Sequence, residues 1–448
     1  MDILSLVGIV VGLVLLIALA YKGHSIIWVA PVCAVVVAVF GGLNLLDAYM
    51  VDYMSGAANF VLTWFPSFFL GAVFGKMMDD TGAARALADK LVGLFGTRFA
   101  LLSVVLPCML MTYGGVSMFV VVFVIYPLGY EIYRRADISR TLIPGAIGLG
   151  AFTITMTAIP GSPQIQNIIP TEYYGTSATA APLIGLVGAI LIGVPGYIYL
   201  DWRIRSYRKK GIHFEEDPRY MEKQMHAASA PDAHWLCGLI PLVVVVLVLN
   251  VLPIVLKELN VLELTANQAL IAAMVCGILV TCLMNLKRAR LLLPAINGGA
   301  ESSLPAIMNT ACAVGFGSVV KMTIGFTLLK TMLIDMPGSI LFSEAVAVNV
   351  LAGATGSASG GMGIALEALS GEYMAAAAGT SITPDILHRI ASLASGGLDT
   401  LPHNGAILTV LAASNCTHKQ SYWDICVTSC IIPVVVSIGM SLVLGIFL

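Results

Sequence analysis

IPGSPQIQNIIP (Ile159–Pro170) and LDTLPHNGAILTV (Leu398–Val410) each interrupt a long apolar run with residues that helices avoid. Pro removes a backbone N–H and clashes with the turn before it, while Gly, Ser, Asn and Asp favour turns and caps. Pro160 and Pro402 stand 242 positions apart. The same offset relates Gly56 to Gly298, Phe74 to Phe316, Gly75 to Gly317, Gly114 to Gly356 and Ser117 to Ser359. Glycine is abundant, at 44 residues, so the co-linear order of apolar segments around these pairs outweighs any single match. Paired, interrupted spans at corresponding positions of two halves point to the binding site of a transporter.

The 448 residues are 58% hydrophobic and 11% charged, far from a soluble domain. Runs such as Ile3–Ala20, Ser25–Phe40, Ala181–Tyr199, Leu236–Leu256 and Ile425–Leu448 approach the length of a bilayer crossing. The expected class is an all-α polytopic protein, multi-pass in the inner (cytoplasmic) membrane, with the lipid bilayer as its constant partner. A net charge of −2, with no basic stretch interleaved with aromatics, gives no reason to expect nucleic acid. Ala18-Leu19-Ala20 resembles a leader cleavage site, but Asp2 and the lack of a basic start favour a retained span. Most of the nine cysteines fall inside apolar runs, and their spacing suggests no metal site, disulfide framework or cofactor.

Each half reads as six apolar units. They lie near 3–20, 25–41, 57–78, 99–130, 142–169 and 180–201, with counterparts near 235–256, 267–285, 303–333, 340–372, 383–413 and 425–448. This divides the chain into a first repeat (1–201), a cytoplasmic linker (202–234) and a second repeat (235–448). The fourth unit of each half has two apolar arms around a Gly/Ser-rich centre, which suits a re-entrant hairpin sheltered by protein. The tips are Gly114–Gly115 and Gly356–Gly361. Five crossings plus a hairpin per half make the two repeats inverted. Basic residues agree: Lys76, Arg85, Lys90, Arg98, Arg134, Arg135, Arg140 and the 203–223 cluster then share the cytoplasmic face.

At a hairpin tip or broken helix, half-helix N-termini suit a carboxylate and freed carbonyls suit a cation. The expected polar lining is Thr112, Tyr113, Ser117, Ser162, Gln164, Gln166, Asn167, Thr355, Ser357, Ser359, Thr400 and Asn404, with Gly114, Gly115, Gly356 and Gly360 at the tips. The plainer reading is that the Gly and Ser residues permit close helix packing. Asp399 and His403 are the candidate ion-coupling pair, since an intramembrane ionisable residue is functional by default. They share a face only if the turn stays helical, which Pro402 opposes. Their plainer roles are a helix cap and a hydrogen-bonded packing residue. Lys321 and Glu344 are expected near the outer face, where snorkelling accounts for them. No HExxH or P-loop occurs, so neither a metalloprotease nor an ATP-driven pump is expected. An intramembrane enzyme or a channel leaves the two-fold pattern unexplained.

The stretch LDTLPHNGAILTVLAASNCTHKQSYWDI (Leu398–Ile425) resembles the gluconate permease (GntP) family of secondary transporters. Within it, DTLPHNGA followed by THK-x-x-Y-x-D is similar to the branch known as 3-hydroxybutyrate permeases. Ile159–Ser177 and Gly353–Leu366 extend the resemblance, while the NDSGFW-like stretch of gluconate members is missing. The resemblance implies an elevator-type homodimer with substrate-site roles for the hairpin tips and both broken segments. A site of helix ends and hydroxyls, without an arginine clamp, suits a small monocarboxylate. A 3-hydroxybutyrate-like hydroxy acid or a gluconate-type sugar acid would enter by symport with H+, or alternatively Na+.

Overall fold

A computed structural model describes all residues except 1, 23, 96–98, 117, 218–232, 335–337 and 403. The described residues contain helices and no strand. The first half comprises α1 (Asp2–Tyr21), α2 (Ile26–Gly41), α3 (Leu45–Asp80), α4 (Ala83–Phe95), α5 (Leu102–Tyr113), α6 (Met118–Ala136), α7 (Arg140–Ala158), α8 (Ile165–Tyr174) and α9 (Pro182–Lys209). The second comprises α10 (Leu236–Glu258), α11 (Ala266–Met284), α12 (Leu286–Lys321), α13 (Ile324–Ile334), α14 (Ile340–Thr355), α15 (Ala358–Ala377), α16 (Pro384–Ser395), α17 (Gly405–Ala413) and α18 (His418–Phe447). Among the described residues, 7 helical stretches are long and apolar enough to cross a membrane. The protein is therefore built as a polytopic membrane protein.

Local chemistry sets the boundaries. Ser25 caps α2 by accepting the Ile27 N–H at 3.3 Å, and Thr265 with Gln268 forms a reciprocal capping box on α11. The two hairpins turn on glycine. Gly115 (φ 92°) follows α5 and Gly356 (φ 59°) follows α14, both in the left-handed region that L side chains avoid. Ser357 then starts α15 by accepting the Gly360 N–H at 3.1 Å. The first arms are short: α5 has 12 residues and α14 has 16. At 1.5 Å per residue these reach about 18 and 24 Å, less than a ~30 Å hydrocarbon core.

One helix is longer than its apolar run suggests. Residues 303–333 were expected as one span, whereas α12 begins at Leu286 and the chain breaks at Met322–Thr323 before α13. Gly298, Gly299, Glu301 and Ser302 hide this extension in the sequence. A Cβ on Gly299 would stand 2.5 Å from the Val73 Cα, so this small-residue stretch is where α12 lies directly on α3.

Packing partners recur nine helices apart. α1 packs on α2 as α10 does on α11; α5 on α7 as α14 on α16; and α7 on α9 as α16 on α18. The second hairpin arms pack across the halves, α6 against α17 and α15 against α8. In α7 94% of the apolar window is buried, against 22% in α10, so the broken helix is interior and α10 is peripheral. Leu62, Leu183 and Ile446 belong to the exposed apolar surface of the outer helices.

Candidate functional site

The first break runs from Ile159 to Gln164 between α7 and α8, and the first hairpin tip closes on it. The Gln164 side-chain amide donates to the Thr112 carbonyl at 2.6 Å, and the Tyr113 hydroxyl donates to the Pro160 carbonyl at 3.2 Å. A Cβ on Gly115 would stand 3.2 Å from Pro163, so the tip meets the turn closely. Asn250 of α10 donates to the Gly161 carbonyl at 3.0 Å from the other side. Gln164 N-caps α8 without a side-chain bond to its first-turn N–H groups. Two buried atoms here have no hydrogen-bond partner: Thr112 Oγ1 and Asn250 Oδ1. Ser162 is buried, and Gln166 is half-buried.

The second break, between α16 and α17, is built differently. A short 3-10 turn, Leu398–Thr400, is followed by extended backbone at Leu401. The turn that carries Asp399 is therefore not continued as an α-helix at Leu401; His403, like Ser117, lies outside the described residues. Asn404 holds the segment together. Its Nδ2 donates to the Gly356 carbonyl of the second tip at 2.9 Å and to the Asp399 carbonyl at 2.8 Å. Its Oδ1 accepts the Ala406 and Ile407 N–H groups, capping α17. The Thr400 hydroxyl donates to the Ser429 carbonyl at 2.7 Å. Asp399 is buried, its Oδ1 lacks a hydrogen-bond partner, and none of the described ion pairs includes it. Ser359 stands 3.4 Å from Ser357 and 3.5 Å from Thr310, oxygen to oxygen. Thr355 ends α14.

The structure thus joins each tip to the break of its own half, and the two halves meet where α7 and α16 cross. There the Ser392 hydroxyl donates to the Thr157 carbonyl at 2.8 Å. Arg389, fully buried on α16, fastens the crossing: it donates to the carbonyls of Ala158 and Ala180 and, at 2.9 Å, to Asn167 Oδ1. The Asn167 amide also donates to the Ser162 and Ala178 carbonyls, so both its ends are engaged.

Three residues outside the expected lining belong to this region. An arginine was not expected in a broken segment, yet Arg389 sits within the 383–413 unit. Its charge in the apolar pattern of ILHRIASLAS was the signal. Asn250 is the lone amide of a Val/Leu-rich run that reads as scaffold. Glu344 corrects the expectation of a snorkelling acid: it is 0% exposed and accepts a hydrogen bond from Tyr174. Its partner comes from the other half of the chain, which explains why local sequence misplaces it. Lys321 is exposed, 3.3 Å from Glu367. Surface cavities beside Leu442–Leu448 and in the Leu256–Glu263 loop lie apart from both breaks.

Comparison with known proteins bears on this arrangement. The GntP family permease model matches residues 2–383, ending just before α16. An uncharacterized transporter of Bacillus subtilis (strain 168), YxjC, is 38% identical over 449 residues, covering 94% of this chain and 95% of that protein. An uncharacterized transporter of Haemophilus influenzae is 26% identical over 141 residues, covering 31% of this chain and 32% of its own.

Proposed function

Because the chain belongs to the GntP family of permeases, and is therefore a multi-pass membrane transporter, we propose that it imports a small organic monocarboxylate by cation symport, with H+ as the coupling ion. The observation that carries this reading is the set of buried polar atoms without partners at the breaks: Thr112 Oγ1 and Asn250 Oδ1 at the first, Asp399 Oδ1 at the second. Leaving such a group unsatisfied costs about 1–3 kcal/mol. A bound substrate and a proton would satisfy them. The α8 N-terminus, without a side-chain cap, offers backbone N–H groups to a carboxylate. Thr112, Ser162 and Gln164 would add polar contacts to the rest of the molecule. The resemblance at Leu398–Ile425 favours a 3-hydroxybutyrate-like hydroxy acid over gluconate. Entry of an anion opposes an inside-negative potential by about 2.3 kcal/mol per charge per 100 mV, and a co-transported cation cancels that cost.

On this reading residues 1–201 and 235–448 are inverted repeats in the inner membrane, joined by a cytoplasmic linker at 202–234. The recurrence of packing partners nine helices apart and the short arms α5 and α14 support it. Helices α1, α2, α10 and α11 form the fixed scaffold of a homodimer, against which the hairpins and broken helices move as an elevator. The test is uptake of labelled 3-hydroxybutyrate and gluconate by proteoliposomes under an imposed pH or sodium gradient. Accumulation of the hydroxy acid under the pH gradient alone is expected. Sodium-only accumulation would replace the coupling ion, and no uptake of either acid would overturn the substrate class.

A further inference from the structure

The last two residues of α8, Tyr173 and Tyr174, each reach one arm of the second hairpin. Tyr174 donates to Glu344 on α14, and Tyr173 donates to Glu367 on α15 at 3.4 Å. The two glutamates have opposite surroundings. The Glu367 side chain is 40% exposed and is bridged by Lys321, whose Nζ also donates to the Glu367 carbonyl at 3.0 Å. Glu344 is fully buried, has no cationic partner in any described ion pair, and leaves Oε2 without a hydrogen bond. Tyr373 stands beside Ser343 and Glu344, and its hydroxyl and that of Ser343 are buried.

We propose that Glu344 is a second proton-binding site, and that its protonation keeps the second hairpin clasped to α8. A carboxylate here would be a buried charge with no cation, the costliest group to hold in an apolar interior. A proton taken from water onto Oε2 removes the charge and lets Oε2 donate as well as accept beside the Ser343 and Tyr373 hydroxyls. The Tyr174 bond to Oε1 stays intact. Loss of that proton to water leaves a charge that the cluster does not match, and the hairpin then leaves α8 so that the carboxylate can hydrate.

Among the described side chains, none of the other titratable groups around α14 is paired with Glu344 as a countercharge. On α16, His388 bonds to Thr176 at 2.6 Å and Arg389 is committed to Asn167 and two carbonyls, while Asp385 is a further acid. On α15, Glu372 and Glu367 are acids. Asp399 lies at the far, tip end of α14. Among the described side chains, α1 and α18 place no cation against Glu344.

The proposal rests on the H+-symport reading for its role in transport, but not for the binding of the proton, so two measurements separate the two. Infrared spectra of the purified protein without substrate should contain a protonated-carboxyl band that disappears in Glu344→Gln, a variant that still accepts from Tyr174. Tyr174→Phe should retain that band at a shifted frequency, which also serves if Glu344→Gln does not fold. A spectrum in which Glu344→Gln loses no such band, or in which Tyr174→Phe leaves it unmoved, overturns the proposal even if uptake is proton-driven. In proteoliposomes, a one-unit pH gradient drives about tenfold accumulation per coupled proton. Glu344→Gln should lower accumulation by that factor while retaining counterflow exchange; wild-type accumulation by this variant overturns the coupling role.

Discussion

The two broken helices meet the same requirement, a stable interruption inside a buried helix, with different chemistry. The first is held from outside. Tyr113 and Gln164 tie it to its hairpin, Asn250 ties it to α10, and the start of α8 has no side-chain cap. The second is held from within. Asn404 caps α17, grips the Asp399 carbonyl and reaches the tip of its own half. The first break carries no acid, and the second carries Asp399. The contrast fits the proposed division of labour, in which the neutral break, where α8 starts without a side-chain cap, takes the substrate carboxylate and the capped, acidic break takes the proton.

The strongest perturbation should come from the crossing that joins the breaks. Arg389→Met strands the Ala158 and Ala180 carbonyls and Asn167 Oδ1, costing at least about 3 kcal/mol at ordinary values for buried acceptors. Thermal unfolding in detergent should fall sharply for this variant and partly recover in Arg389→Lys. Next, Gly161→Ala forces an L side chain to φ 76°, with the new Cβ 3.0 Å from Asn250 Oδ1. A loss of about 1–2 kcal/mol is expected, with weaker substrate binding by calorimetry.

Asn404→Ala and Gln164→Ala compare the breaks directly. The first removes a cap and both anchoring bonds and should cost about 1–2 kcal/mol. The second removes one hydrogen bond and should cost about 1 kcal/mol. Equal losses in unfolding would erase the distinction between an internally held and an externally held break.

The smallest effect is expected outside both breaks. Asp137 is exposed, and the Phe214 backbone N–H at 3.1 Å, then His213 at 2.7 Å, hold its carboxyl below the usual range. A lowered folded value contributes stability above the unfolded value of about 3.9 and loses it as pH falls through the folded one. Asp137→Asn should therefore leave the pH profile of uptake unchanged between about pH 5 and 8.

The interrupted runs, both glycine tips and most spans are legible in the sequence because glycine, proline and apolar length act locally. Gly114–Gly115 and Gly356 turn where the pattern places them. What escapes is long-range. Glu344 and Tyr174 stand 170 positions apart, and nothing near Glu344 announces its partner. Asn167 reads as a lining residue, yet both ends of its amide are taken, one by an arginine 222 positions away. The start of α12 is masked by Gly298–Gly299, residues present because a neighbouring helix lies on them.

Asp399 decides whether the second break couples transport to the proton. Counterflow and pH-driven uptake of 3-hydroxybutyrate should be measured in parallel for wild type and Asp399→Asn. The account predicts that the variant exchanges substrate across the membrane but fails to accumulate it against its gradient. Normal accumulation by Asp399→Asn would contradict the account and leave Asp399 a structural residue of the turn.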